Sequence, residues 1–255
     1  MAPKSQDESK KITRSRSRAS SFAFTLLALL SVLLCIRLGF WQFDRYEVRH
    51  ELTKKITAAL AQDPVALDSS NQDRATAWMK VSITGRYDEN FQRLFRGHYY
   101  QEQYGLEVLS LFIPSDADVP PIWVDRGWLA AGKSADAETS IPPPPKEVIS
   151  LKGILRQYDD PSASQGLFFA LPAPRIGRID ELSLQQTFSG ETFHKYLKVQ
   201  ETPADSSLAV TPLTPPGEGP HLAYAIQWWL FAVLIAGTRI ALFKSERASE
   251  SQPEN

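Results

Sequence analysis

"SFAFTLLALLSVLLCIRLGFWQF", residues 21–43, decides how this chain is organised. As the apolar core of a signal peptide it would be cut away and leave a secreted domain. Such a core is roughly 7–15 residues long and ends at a small-x-small cleavage site. This run instead continues through Arg37 into "LGFWQF" (38–43), with no clean cleavage site. At roughly 20 residues it matches the hydrocarbon core of a bilayer, so it reads as an uncleaved transmembrane helix. A second apolar run of similar length, "HLAYAIQWWLFAVLIAGTRIALF" (221–243), lies near the other end.

The flanking cations orient both runs. Before the first stand Lys4, Lys10, Lys11, Arg14, Arg16 and Arg18 against Asp7 and Glu8. Arg239, Lys244 and Arg247 close the second. The positive-inside rule puts both tails in the cytoplasm and residues 44–220 outside. The expected order is a basic cytoplasmic tail (1–20), a first span (21–43), an extracytoplasmic domain (44–220), a second span (221–243) and a cytoplasmic tail (244–255). A mitochondrial presequence competes for the basic, Ser-rich start, but Asp7 and Glu8 are residues such peptides avoid. A multi-pass protein of a bacterial plasma membrane is the preferred reading.

The outside region holds 18 Lys and Arg against 24 Asp and Glu. That acidic balance provides no basic stripe for phosphates and speaks against a nucleic-acid partner. Cys35 is the chain's one cysteine and lies in the first apolar run. Disulfides, C-x-x-C redox pairs, thiolate metal sites and covalent haem attachment are therefore not available. With two Met in all, the chain also lacks the soft ligands of a copper carrier.

The outside domain reads as α+β, mainly antiparallel β. Tyr46, Val48, Leu52, Ile56 and Leu60 extend the first helix up to Asp63-Pro64. Strand-like segments follow at 78–88, 92–100, 105–114, 121–130, 147–158 and 193–201. "SIPPPPKE" (140–147) is an extended connector, because proline fixes φ and removes the donor. "DELSLQQTFSG" (180–190) reads as a short helix with Asp180 as N-cap and Gly190 as stop. Residues 202–220, rich in Pro and Ser, read as a linker back to the membrane.

No nucleophile–base pair, H-x-x-x-H pair or P-loop stands out, so no enzymatic activity is expected. Of His50, His98, His194 and His221, the last differs by place, at the outer start of the second span. Helical spacing puts His221, Tyr224, Ala225 and Trp228 on one side, with Gln227 and Trp229 flanking. Two readings fit. One is an aromatic interface belt. The other is a non-covalent haem site with an axial histidine and flat apolar walls. Gln227 faces away from His221, so it is expected to bond the other span or a partner. Arg37 either snorkels outward past Trp41 or meets an anion at the interface. In "VDRGWL" (124–129), alternation puts Val124, Arg126 and Trp128 on one face and Asp125, Gly127 and Leu129 on the other. Gly127 suggests a bulge or a close backbone approach there. Arg126 suggests aromatic stacking or a buried ion pair.

Four pieces then fall in order: "LGFWQFDR" (38–45), a strand closing at Gly85, "WVDRGWL" (123–129) and "HLAYAIQWW" (221–229). This set, over residues 22–243, resembles the surfeit locus protein 1 family of cytochrome c oxidase assembly factors. Pro220 stands where that family usually has Asn, so a capping side chain is missing. The resemblance implies an assembly role in which haem a is bound or sheltered for insertion into oxidase subunit I. Its partners would be subunit I, the haem a synthesis or assembly machinery, and membrane lipid. By the same resemblance His221 would be the ligand to haem iron, with Tyr224, Trp228, Trp41 and Arg37 around the cofactor. Gln42, Arg45, Gly85, Arg126, Gly127, Trp128 and Gln227 match motif positions as partner-binding or structural residues. The alternative expectation is a cofactor-free scaffold for an oxidase intermediate or supercomplex, acting through Arg126 and Trp128.

Overall fold

A computed structural model describes residues 5–131, 140–160, 175–201 and 208–250. The chain forms two compact units, Met1–Lys54 with Pro216–Asn255, and Lys55–Pro215.

The first unit is built on two helices. Helix α1 is Ser5–Leu60, one uninterrupted helix through the apolar run and its amphipathic extension. It stops before Pro64, whose missing N–H and ring would break a further turn. The second helix, here α3, is His221–Glu250. Its first carbonyl is that of Pro220, which accepts the Tyr224 N–H at 3.1 Å. Proline thus serves at the cap through its backbone, without a side-chain acceptor. Both helices are long and apolar enough to cross a membrane.

They pack along one seam. On α1 it comprises Ser21, Thr25, Ala28, Val32, Cys35, Gly39, Gln42 and Tyr46, spaced alternately by four and three residues. On α3 it comprises His221, Ala225, Trp228, Ala232, Ile235 and Arg239, with the same alternation. This is the 3.5-residue repeat of a two-helix seam. Cys35, Ala225 and Ala232 are buried, while Leu27, Leu34, Leu230 and Leu234 on other faces stay exposed. Small residues at the contact let the backbones approach. Trp229 lies directly over Gly39, where any Cβ would collide with the indole.

The second unit is a mixed sheet. After α1 come β1 (Val65–Ala66), β2 (Lys80–Tyr100), β3 (Gln103–Pro114), β4 (Ile122–Ala130) and β5 (Ile149–Gln157). Then follow β6 (Arg175–Ile176), α2 (Glu181–Gln185) and β7 (Lys195–Val199). The order β2-β3-β4-β7-β5 returns to β2, so the five main strands close a circuit. Four of its joints are antiparallel, while β4–β7 is parallel. Closure leaves no free edge among these five strands. Val81, Ile83, Phe112, Ile122, Val124, Leu151, Leu155 and Leu197 form the main core cluster. Leu109, Leu111 and Trp123 form a second cluster with Leu184 of α2.

Three expectations need correction. Segments 78–88 and 92–100 are not separate strands but the two halves of β2. The turn-like "DEN" makes a register shift between Asp88 and Gln92. There the Asp88 carboxylate accepts the Asn90 N–H at 3.0 Å, so the backbone is satisfied locally while the strand continues. Helix α2 is capped by Asp180, which accepts Ser183 N–H at 2.8 Å, but it ends at Gln185, well before Gly190. The stretch 202–220 is not all linker. Leu208 is buried, and Ala209 exchanges two backbone hydrogen bonds with Trp128, at 2.7 and 2.8 Å. Residues 202–207 lie outside the described residues.

Candidate functional site

At one end of the helix seam, His221 Nδ1 lies 2.9 Å from Gln42 Oε1. With the amide oxygen as acceptor, the ring carries its proton on Nδ1 and keeps its lone pair on Nε2. No hydrogen bond engages Nε2 among the described residues. Gly219, at φ +71°, precedes the helix so closely that a Cβ there would sit 3.3 Å from Nε2. A glycine at that position keeps this edge of the ring open. One turn and more along α1, Tyr46 stacks on His50 at 5.4 Å between centroids. His50 Nδ1 in turn lies 2.7 Å from Glu218 Oε1. Thr53 donates to the Pro216 carbonyl at 2.8 Å.

Aromatic rings surround this end. Trp229 meets Phe40 edge-on at 5.7 Å and Phe43 at 6.0 Å. Trp228, within about 20° of the direction of His221 at 100° per residue, meets Phe231 at 5.8 Å. Tyr224 stands on the flank of the seam and is 47% exposed.

Trp41 and Arg37 are placed elsewhere. They lie about 100° and about 140° round α1 from Gln42, and both are exposed. Trp41 instead receives the Arg45 guanidinium at 5.9 Å. Gln227 is exposed and makes no hydrogen bond to α1. Gln42, rather than Gln227, is the glutamine that joins the helices. Its seam spacing with Cys35, Gly39 and Tyr46 was the signal in the sequence.

The other end of the seam is more heavily bonded. Arg239 donates to Ser21 Oγ at 2.8 Å, to Thr25 Oγ1 at 2.8 Å and to the Ser21 carbonyl at 3.3 Å. Glu246 Oε1 lies 3.4 Å away.

The "VDRGWL" motif lies in β4 of the sheet unit and is interior. Val108 opposes Gly127 and Leu109 opposes Asp125, so Arg126 is the extra residue of a bulge. The bulge overturns the simple alternation. Arg126 sits 5.4 Å from the Tyr87 ring centre, on the side of the main core. Trp128 opposes Glu107, on the side of Asp125. Gly127 takes φ +136°, which other residues rarely adopt, with the Ala209 carbonyl pressed against it. Arg126 is 4% exposed and donates to the carbonyls of Pro142 and Pro143, at 2.8 and 3.2 Å. The proline connector, unable to pair its own carbonyls through a helix or sheet, is thus tied to the sheet. Trp128 is 7% exposed and covers Gly105. Neither side chain is free to dock a partner. Gly85 lies at the corner where β2 passes from β5 to β3, pairing with both Ile149 and Pro114.

Sequence reasoning missed a buried charge cluster. Lys198 Nζ lies 2.7 Å from Glu107 Oε1 and 2.6 Å from Asp125 Oδ2. Thr211 and the Gly127 N–H take up further carboxylate valences. Burial and the neighbouring Glu107 push the Asp125 carboxyl up to about 7, against the pull of Lys198. Burial alone would lower the Lys198 ammonium, but the two carboxylates together hold it above its ordinary value. A Glu and an Asp within otherwise apolar strands were visible; their shared lysine, on the distant β7, was not. Among the described residues, no three His, Cys, Asp or Glu side chains converge to hold a bare metal ion.

Comparison with known proteins agrees with the order of these elements. The SURF1 family model matches residues 29–233, from within the first long helix into the second. The chain belongs to the SURF1 family. Uncharacterized SURF1-like proteins of Mycobacterium bovis and Mycobacterium tuberculosis are 24% identical over 253 residues. The match spans 93% of this chain and 91% of each relative. SURF1 family membership carries a role in cytochrome c oxidase assembly.

Proposed function

We propose that this SURF1 family member holds haem a non-covalently for oxidase assembly, with His221 as the axial ligand to its iron. The observation that carries the reading is the Gln42–His221 hydrogen bond. A histidine that ligates a metal through one nitrogen is oriented through the other, and the second partner fixes the tautomer and raises ligand basicity. Gln42 is placed to do this, and Gly219 leaves the Nε2 edge clear. Trp228 and Tyr224 would supply apolar faces beside the ligand. Trp41 and Arg37 are left out of the set because they point round α1 away from Gln42. The bound group would supply the redox-active iron of the oxidase. The chain's own part is to hold and shelter it, with no catalytic step.

On this reading α1 and α3 span a plasma membrane, both tails are cytoplasmic and the sheet unit is extracytoplasmic. Flanking cations and helix length support that placement. Subunit I and the haem a machinery would be the partners. A cofactor-free scaffold acting through Arg126 and Trp128 is less well supported, since both are interior.

The test is spectroscopic. The full chain is purified in detergent from cells that make haem a, and its absorption is compared with that of His221→Ala. Haem a in the wild type and its loss in the variant, with unchanged helix content, are expected. Equal haem in both proteins would sink the axial-ligand assignment.

A further inference from the structure

A cleft in the sheet unit combines a strained residue, an unanswered cation and open space. Its volume is about 270 Å³, and it lies between Trp78 and Arg156 on one side and Pro212–Thr214 on the other. Glu107, Tyr196, Lys198 and Thr211 complete its lining.

Trp78 has φ +72°, a left-handed conformation that a bulky residue rarely adopts. Its N–H is anchored to the Leu155 carbonyl at 2.7 Å, next to Arg156. This holds the indole flat against the Arg156 guanidinium, 3.8 Å from the ring centre. Stacking fixes the plane of the guanidinium and leaves its edge to hydrogen-bond. The Tyr196 hydroxyl meets part of that edge. Nη1 is enclosed and finds no acceptor. Among the described residues, Arg156 has no carboxylate partner. Lys198, the other cation at the cleft, is already answered by Glu107 and Asp125.

We propose that this cleft binds a carboxylate, with Arg156 as its anchor. A planar guanidinium held by stacking matches a carboxylate in shape and charge. Glu107 lines the same space, so a single negative charge is favoured over the double charge of phosphate. The volume suits a group with a short aliphatic stem, for which Trp78 and Leu213 supply apolar walls. The site is independent of the haem reading, because none of its residues belongs to the helix pair.

Saturation-transfer NMR on the full chain in detergent tests the proposal, with propionate, its neutral match propionamide, and inorganic phosphate as probes. Propionate binding, with none for propionamide and weaker binding of phosphate, is expected. Arg156→Met keeps the stack and removes the charge, and should weaken propionate at least about tenfold. Leu213→Trp fills the cleft from the opposite wall, leaves the Trp78–Arg156 stack alone, and should also abolish binding. N-acetyl-glutamate methylamide separates the sources. Binding tighter than propionate assigns the natural carboxylate to a protein side chain, and weaker binding assigns it to a free acid. Equal binding of propionate and propionamide overturns the proposal. So does unchanged propionate affinity in folded Arg156→Met, or, where that variant fails to fold, in folded Leu213→Trp.

Discussion

Lys198 and His221 are both polar groups in apolar surroundings, and their neighbours treat them differently. In the sheet unit, Lys198 is 11% exposed and is answered twice over, by Glu107 and Asp125. At the end of the helix seam, His221 has one hydrogen bond, to Gln42, and a second nitrogen with nothing bound to it. A fully satisfied polar cluster sets the structure and is costly to disturb. A half-satisfied ring at a partly exposed position is cheap to alter and has bonding capacity to spare. That difference separates the residues that hold this protein in shape from those available to a ligand.

Lys198→Met should break the comparison most visibly. It leaves two carboxylates buried without their cation, and removing one partner of a buried pair costs about 3–5 kcal/mol. Chemical denaturation of the detergent-solubilised chain should show that loss in the sheet unit, while haem a content per folded molecule stays the same. A loss well under 1 kcal/mol would mean that the cluster is not truly shielded from water.

Asp125 sharpens the same contrast through pH. Its carboxyl stands at about 7 in the folded chain, above the unfolded value of about 3.9. The folded state therefore holds a proton that the unfolded state has released. Stability from this source is full below about pH 4 and declines as pH rises through about 7. Asp125→Asn removes the titration, so its stability should fall less than that of the wild type between pH 4 and 7. The relative change is on the order of a few kcal/mol. Melting temperatures across that range provide the check, and parallel profiles would contradict the assignment.

Gln42→Leu should be the smallest in stability and the most selective in function. One hydrogen bond is lost at a partly exposed position, so unfolding should change by about 1 kcal/mol or less. Losing the group that orients a metal-ligating histidine typically lowers metal affinity about 10–100-fold. Haem a titration of wild type and Gln42→Leu measures this. Equal affinity would place Gln42 among the purely structural residues of the seam.

The apolar runs, the extension to Leu60 and most strand positions were legible because each is a local pattern. Closure of the sheet was not. It depends on a parallel joint between β4 and β7, whose partners Val124 and Leu197 are far apart in sequence. Alternation misled at Arg126 because one bulged residue turns everything after it to the other face. Gly127 advertised that bulge, but its register needed Val108 on the neighbouring strand. The histidine at the start of α3 was legible as a candidate, and its family context strengthened it. Its partner was not, because Gln42 and His221 meet only when two helices pack in one register. Gln227, nearer in sequence, drew attention for the wrong reason: sequence proximity does not place a residue on the seam.

Cys35 gives the molecule a built-in gauge. The chain has one thiol, and it is buried midway along the seam of the helix pair. A maleimide can reach it only when α1 and α3 part or rotate, so its alkylation rate counts those openings directly. Anything that clasps the pair, from a bound cofactor to a client oxidase subunit, should slow that clock, and anything that pries it open should speed it up.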